Sequence, residues 1–138
     1  MTDSCLFCRK IDGDVLYDDD RCAVVLHEDW AVRGHAMVVW KTHVENVSDL
    51  SLEDAAHLSQ VHHAGEKALL AATGADRAVL LKLGIATPHL HLHIYPVSAA
   101  LDRAAVMAII DARTRVPRDE ALVTKTRELL RGALDKSD

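Results

Sequence analysis

Three histidines alternate with aliphatic residues in Pro88-His89-Leu90-His91-Leu92-His93-Ile94-Tyr95-Pro96. Successive side chains of a strand point to opposite faces, so His89, His91 and His93 share one face, roughly 7 Å apart. Leu90, Leu92 and Ile94 then point into a core. A helix would scatter the same residues around its circumference. A solvated polar face is the natural reading of a lone histidine, but strict alternation in a chain with 9 histidines points to a site. Two chemistries fit: a metal centre, or an imidazole that works as nucleophile or acid–base group.

Cys5-Leu6-Phe7-Cys8 is the second such feature. Two thiols separated by two residues suit one metal ion or a redox pair. The redox reading is the weaker, because no strand precedes the pair. Structural zinc wants four ligands, so the pair is half a site. Cys22 has no close thiol partner, and the missing ligands of a zinc site would be histidines.

The elements that must position these groups follow from local pattern. Asp12-Gly13-Asp14 signals a turn, and Val15-Leu16-Tyr17 and Cys22 to Leu26 read as two short strands across the acidic turn Asp18-Asp19-Asp20. Ala36 to Trp40 is nearly continuously apolar, as in a central strand covered on both faces. His35 and His43 bracket that strand, and each alone suits a strand end. Ser51 to Thr73 is the clearest helix, with Ser51 as N-cap, Glu53 and Asp54 in its first turn, and Gly74 as its stop. Its apolar stripe comprises Leu52, Ala55, Leu58, Val61, Leu69 and Ala72. His57, His62 and His63 ride on it without an assigned role; the adjacent pair splays by about 100° and cannot clamp one metal. Ala78 to Leu81 is a further strand. Leu101 to Leu134 reads as two helices broken near Pro117, the first with the patch Val106, Ile109 and Ile110, the second with Leu122, Leu129 and Leu130.

Composition bounds the class. A length of 138 residues suits a single domain, 1–138, with a core over about 5–98 and a helical extension over about 101–135. A net charge of -5 without a long basic run argues against nucleic acid as partner. No apolar stretch approaches a membrane span, and no signal-peptide pattern opens the chain. Three cysteines do not form a disulfide framework, so a cytoplasmic location is expected.

From these residues the chain resembles the histidine triad (HIT) family. His89 to Tyr95 matches its His-φ-His-φ-His-φ-φ signature. Cys5-Leu6-Phe7-Cys8, Gly34-His35 and Lys41-Thr42-His43-Val44-Glu45-Asn46 stand where bacterial members carry their cysteine pair, glycine–histidine and second histidine motifs. Order and spacing agree over about two-thirds of the chain. The resemblance implies an α+β, HIT-like fold: an antiparallel sheet of about five strands, one long helix and C-terminal helices. It also implies a homodimer. Members hydrolyse or transfer nucleotidyl groups at the α-phosphorus of phosphoramidates or dinucleoside polyphosphates, and a purine nucleotide or nucleotide conjugate is the implied partner. By position His91 would be the nucleophile, with His93 and His35 around it. Phe7, His27, Glu28 and Thr87 would lie at the nucleotide. Cys5, Cys8, His43 and His89 would hold a structural zinc ion.

The chain departs from the family pattern in two places. Gly84-Ile85-Ala86 stands where members carry Gly-Gln-Ser or Gly-Gln-Thr, and the usual ribose-binding aspartate falls on His27. Two other readings compete with the nucleotidyl enzyme. One is a metallohydrolase with its metal on the histidine strand; the other is a non-enzymatic zinc- and nucleotide-binding adapter.

Overall fold

The turn at Gly13 begins the sheet. Its φ of 109° lies in the region that favours glycine, and a Cβ there would stand 2.0 Å from the Leu26 carbonyl oxygen. Only glycine lets the chain pass this close to the neighbouring strand. The structure, a computed structural model, describes residues 5–134. Strands β1 (Asp14–Asp18), β2 (Cys22–Leu26), β3 (Ala36–Trp40), β4 (Arg77–Leu81) and β5 (His91–Val97) form one sheet in the order β1-β2-β3-β5-β4. Every neighbouring pair is antiparallel. The helices are α1 (Leu6–Arg9), α2 (Leu52–Thr73), α3 (Arg103–Ile110) and α4 (Glu120–Leu134). The fold is α+β, as expected. No helix among the described residues is long and apolar enough to cross a membrane.

Alternation along the strands separates two cores. Cys22, Val24 and Leu26 of β2, Ala36, Val38 and Trp40 of β3, and Ile94 of β5 meet Leu58, Val61 and Leu69 of α2 and Leu122 and Leu130 of α4. On the opposite face Phe7 and Ile11 pack on Ala23, Val25, Met37 and Val39. Further along that face, Ile109 and Ile110 pack with Tyr95, Val97, Val79 and Leu81. Both faces of β2 and β3 are therefore covered, which is why these strands read as continuous apolar runs. Between α1 at one end and α3 at the other, the second face stays partly open.

α2 ends where its caps demand. Ser51 Oγ accepts from the Asp54 N–H at 3.1 Å, and Gly74, at φ 75°, donates its N–H to the Leu70 carbonyl. Leu52 is 91% exposed and so leaves the expected stripe. Leu129 is 39% exposed, while Val123 and Thr126 take the buried positions on α4 beside Leu122 and Leu130. The C-terminal extension forms the two expected helices, and its expected end at residue 135 lies outside the described residues.

The histidine strand is shorter at its start than its alternation suggests. β5 begins at His91, with His89 and Leu90 before it. The cause is the partner strand. β3 ends at Trp40, and the chain loops out before returning at Val44; Leu90 bridges the gap, accepting from the Trp40 N–H at 3.1 Å and donating to the Val44 carbonyl at 2.7 Å. His89 has no ladder partner and instead donates its N–H to the Thr87 carbonyl.

A polar network ties the β1–β2 turn to α2. Asp19 accepts from the backbone N–H groups of Arg21 and Cys22 and from Tyr17 OH and His57 Nε2. Arg21 can only donate, so its contact with His57 Nδ1 at 3.1 Å leaves the ring proton on Nε2, facing Asp19. Burial raises the Asp19 carboxyl, but the Cys22 and Arg21 N–H groups, Tyr17 and His57 outweigh it and hold the pKa at about 2. Burial pushes the neighbouring Cys22 thiol up to about 12. This accounts for His57 structurally.

Two glycine substitutions separate conformational need from helix entropy. Gly13→Ala should lower the free energy of unfolding by at least ~2 kcal/mol, because it adds both strain and overlap. Gly132→Ala, on α4 where an added Cβ meets nothing within 4 Å, should raise it by roughly 0.5–1 kcal/mol. Urea unfolding of the two variants checks the opposite signs.

Candidate active site and metal centre

Register brings one aromatic or imidazole ring from each of three adjacent strands to one level. His27, just past β2, donates its N–H to the His35 carbonyl, and the two rings stack at 4.5 Å with planes 5° apart. His35, just before β3, stacks in turn on Tyr95 of β5 at 4.4 Å. Its Nε2 lies 3.0 Å from His93 Nδ1, so one proton is shared along that contact. Gly34 holds the approach to His35: it sits at φ 85°, and a Cβ would stand 2.8 Å from Thr73 Cγ2.

Desolvation lowers two of these imidazoles, His35 and His93. Burial, reinforced by His27 and His93, pushes His35 down to about 3. His93 is pushed down to about 4 by burial and then by His91 and His27. His91 is also lowered, first by burial.

His91 points its Nδ1 at the His89 carbonyl oxygen, 2.6 Å away. A carbonyl only accepts, so Nδ1 carries the proton and Nε2 keeps a lone pair. Phe7 of α1 lies against this ring, centroid to centroid 4.7 Å. His91 and His93 stand with ring centroids 5.1 Å apart. Both line a cavity of about 530 Å³, together with Phe7, His27, Glu28 and Thr87. The structure thus places His35, His91 and His93 and all four residues expected at the nucleotide around one space. It also places there residues that had no expected role, among them Tyr95, Ile109, Ile110 and Arg115. Tyr95 was open to detection, since it continues the period-two face of His91 and His93. Nothing local marks the α3 residues as cavity wall.

His89 turns away from this space. Its Nε2 lies 2.5 Å from the Trp40 carbonyl oxygen, which places the proton on Nε2 and leaves the Nδ1 lone pair free. Nδ1 stands 3.2 Å from Cys5 Sγ, 3.4 Å from Cys8 Sγ and 3.2 Å from His43 Nδ1. Cys8 Sγ is 3.2 Å from His43 Nδ1. Bond lengths of about 2.3 Å to sulfur and about 2.05 Å to nitrogen put tetrahedral ligand atoms roughly 3.3–3.8 Å apart. All four ligand atoms lie within 4.8 Å of one another. The donor set, the spacing and the carbonyl behind His89 therefore fit a closed zinc shell, in which the thiols would bind as thiolates. The sequence carried no sign of α1, a four-residue turn that brings both thiols to this point.

The sequence model of the HIT domain family matches residues 9–99. "Protein hit" of Bacillus subtilis is 31% identical over 106 residues, covering 68% of this chain and 71% of that protein. Adenylylsulfatase HINT3 of Arabidopsis thaliana is 28% identical over 105 residues, or 70% of this chain, which spans about half of that protein, 53%. Among solved structures, a zinc-bound histidine triad family protein from Mycobacterium smegmatis shares the fold with a TM-score of 0.72 at 24% identity, covering 100% of both chains. A hypothetical histidine triad nucleotide-binding protein from Sulfolobus tokodaii gives a TM-score of 0.67 at 22% identity, covering 95% of this chain and 92% of that one. With the family match over most of its length and the triad in place at His89, His91 and His93, the chain belongs to the HIT domain family.

Proposed function

We propose that this protein hydrolyses or transfers nucleotidyl groups, with His91 as covalent nucleophile. The observation that carries this reading is the Nδ1 contact of His91 with the His89 carbonyl, which leaves Nε2 unprotonated beside the cavity. Nε2 attacks the α-phosphorus of a nucleoside phosphoramidate; the P–N bond breaks and the amine leaves with a proton. Water then opens the nucleotidyl-imidazole, releasing the nucleotide and restoring the ring. His93 and His35 orient the phosphoryl oxygens, while Phe7, His27, Glu28 and Thr87 flank the nucleoside. Support for this chemistry comes from family membership and from a relative named as an adenylylsulfatase.

Cys5, Cys8, His43 and His89 would hold zinc, whose contribution is a fixed cross-link between the N-terminal turn and the strand ends. The zinc-bound relative supports this assignment. His91 and His93 belong to no potential metal cluster among the described residues, which favours the covalent mechanism over a metallohydrolase.

Three outcomes test the reading. His91→Ala should lower AMP release from adenosine 5′-phosphoramidate by more than roughly 10³-fold, with zinc content unchanged. Zinc loss in that variant would favour the metallohydrolase, and a wild type that releases nucleotide from no phosphoramidate or dinucleotide would favour an adapter. Cys5→Ser should lower zinc content and thermal stability together, as measured by metal analysis and calorimetry; unchanged stability would remove the structural role.

The third outcome concerns acid. His35 and His93 have folded values of about 3 and about 4, below an unfolded value near 6.5. The unfolded chain therefore takes up protons first, and stability present above pH ~6.5 falls as pH drops toward ~4. His93 is faced by His91 on its own strand, His35 beside β3, His27 beyond β2 and Tyr95. His93→Phe should flatten the fall in urea midpoint across that window; an unchanged slope would show that His93 does not titrate there.

A further inference from the structure

The two sulfurs of the N-terminal turn differ in access. Cys5, the N-cap of α1, is buried, whereas Cys8, three positions on, is exposed. Both reach the same imidazole nitrogen, His89 Nδ1, at 3.2 and 3.4 Å, and their Sγ atoms lie within 4.8 Å of each other. An N-cap and the third residue of its helix have Cα atoms roughly 5 Å apart, a span that a disulfide bridges. The remaining thiol, Cys22, is fully buried on the opposite face of the sheet, and burial pushes it up to about 12.

Reactivity of a cysteine follows thiolate character and access. As zinc ligands both sulfurs would be thiolates, and Cys8 is the one that solvent reaches. A sulfur oxidised there has a second sulfur beside it. A disulfide would change what the turn is tied to. The four-ligand set joins it to His43 and His89, 35 and 84 positions along the chain from Cys8 and Cys5 respectively. A bond between Cys5 and Cys8 joins the turn only to itself, and so small a loop restrains nothing beyond it. Among the described residues no other hydrogen bond or ion pair joins residues 5–11 to the sheet. What remains is the packing of Phe7 and Ile11 on Ala23, Val25, Met37 and Val39, and Phe7 is the ring that lies on His91.

We propose that Cys8 is a site of oxidation by hydroperoxides with Cys5 as its resolving partner, so that oxidation exchanges the metal cross-link for a local disulfide and frees Phe7 from His91. The Cys8 thiolate attacks one peroxide oxygen, the O–O bond breaks, and water or an alcohol leaves after taking up a proton. Cys8 is then a sulfenic acid. The Cys5 thiolate attacks the Cys8 sulfur, the S–O bond breaks, and the departing hydroxide takes up a second proton as water. Two thiolates have lost two electrons to one O–O bond. His43 and His89 are left without sulfur partners, and the metal is released. This rests on the assignment of zinc to Cys5, Cys8, His43 and His89 and is independent of nucleotidyl transfer.

The test treats the zinc-loaded full chain with hydrogen peroxide and follows metal, thiols and Phe7 together. One zinc per chain should pass to a chromogenic chelator as two of the three thiols are lost, and the denatured chain should become lighter by two hydrogens. Phe7 is the only phenylalanine, so its ring protons can be assigned, and their nuclear Overhauser contact with the His91 ring should disappear. Dithiothreitol followed by zinc should restore the thiols and the contact. Cys22→Ala should release zinc as the wild type does, with both of its thiols lost. Zinc that stays bound under peroxide overturns the inference, as does zinc release with oxygen added to Cys8 and no disulfide formed. A Phe7 contact that survives zinc release overturns the link between the metal centre and the cavity. A chain that takes up no zinc overturns the metal assignment and this inference with it, while AMP release from adenosine 5′-phosphoramidate reports separately on nucleotidyl transfer.

Discussion

The hydrogen bond from His91 Nδ1 to the His89 carbonyl joins the two chemistries of this molecule. His89 faces three ways at once. Its carbonyl sets the tautomer of His91, its Nδ1 meets the two thiols and His43, and its Nε2 is held by the Trp40 carbonyl. The candidate metal centre, the end of β3 and the candidate nucleophile thus share one residue. Leu90, bonded to both Trp40 and Val44, fixes the chain between them. Losing one partner of such a buried pair leaves the other unsatisfied, at a cost of about 1–3 kcal/mol. The geometry at His91 depends on the loop after β3 as much as on its own strand.

A second constraint is that the imidazoles sit where charge is costly. Stacked across the sheet, His27, His35 and Tyr95 form a row, with His93 tilted against His35. Burial keeps His35 and His93 neutral, so the row offers hydrogen-bonding and stacking groups without repelling one another. Antiparallel register supplies the alignment. Ala36 pairs with Leu26 and with Ile94, which brings the residues just beyond those positions side by side on one face. That face stays open because α2 and α4 cover the other side, while the short α1 and α3 cover only its two ends.

Much of this was legible in the chain itself. Period-two alternation placed His91 and His93 on one face, because strand geometry allows nothing else. Ser51 and Gly74 marked the ends of α2 through their capping chemistry. The apolar runs of β2 and β3 announced strands covered on both faces. The fold class followed from these patterns and from the triad's likeness to its family. Sequence pattern failed where the deciding partner lies far along the chain. Leu52 and Leu129 fit a helical stripe, but both stay exposed in the folded chain. His89 fits the alternation, but β3 ends before it can pair.

Residue types and their spacing determined by themselves which groups were available for chemistry: two thiols separated by two residues, three alternating imidazoles, and a glycine before His35. Those are short-range facts, set by backbone geometry that repeats every two or three residues. Only the tertiary structure decided what each group does with its neighbours. The proton positions on His89 and His91 depend on the carbonyls that face them, one from Trp40 and one from His89 itself once the chain bends before β5. The aliphatic wall of Ile109 and Ile110 reaches the cavity because α3 folds back over Tyr95 and Val97. Such contacts join residues far apart in the chain, and only the folded sheet brings them together.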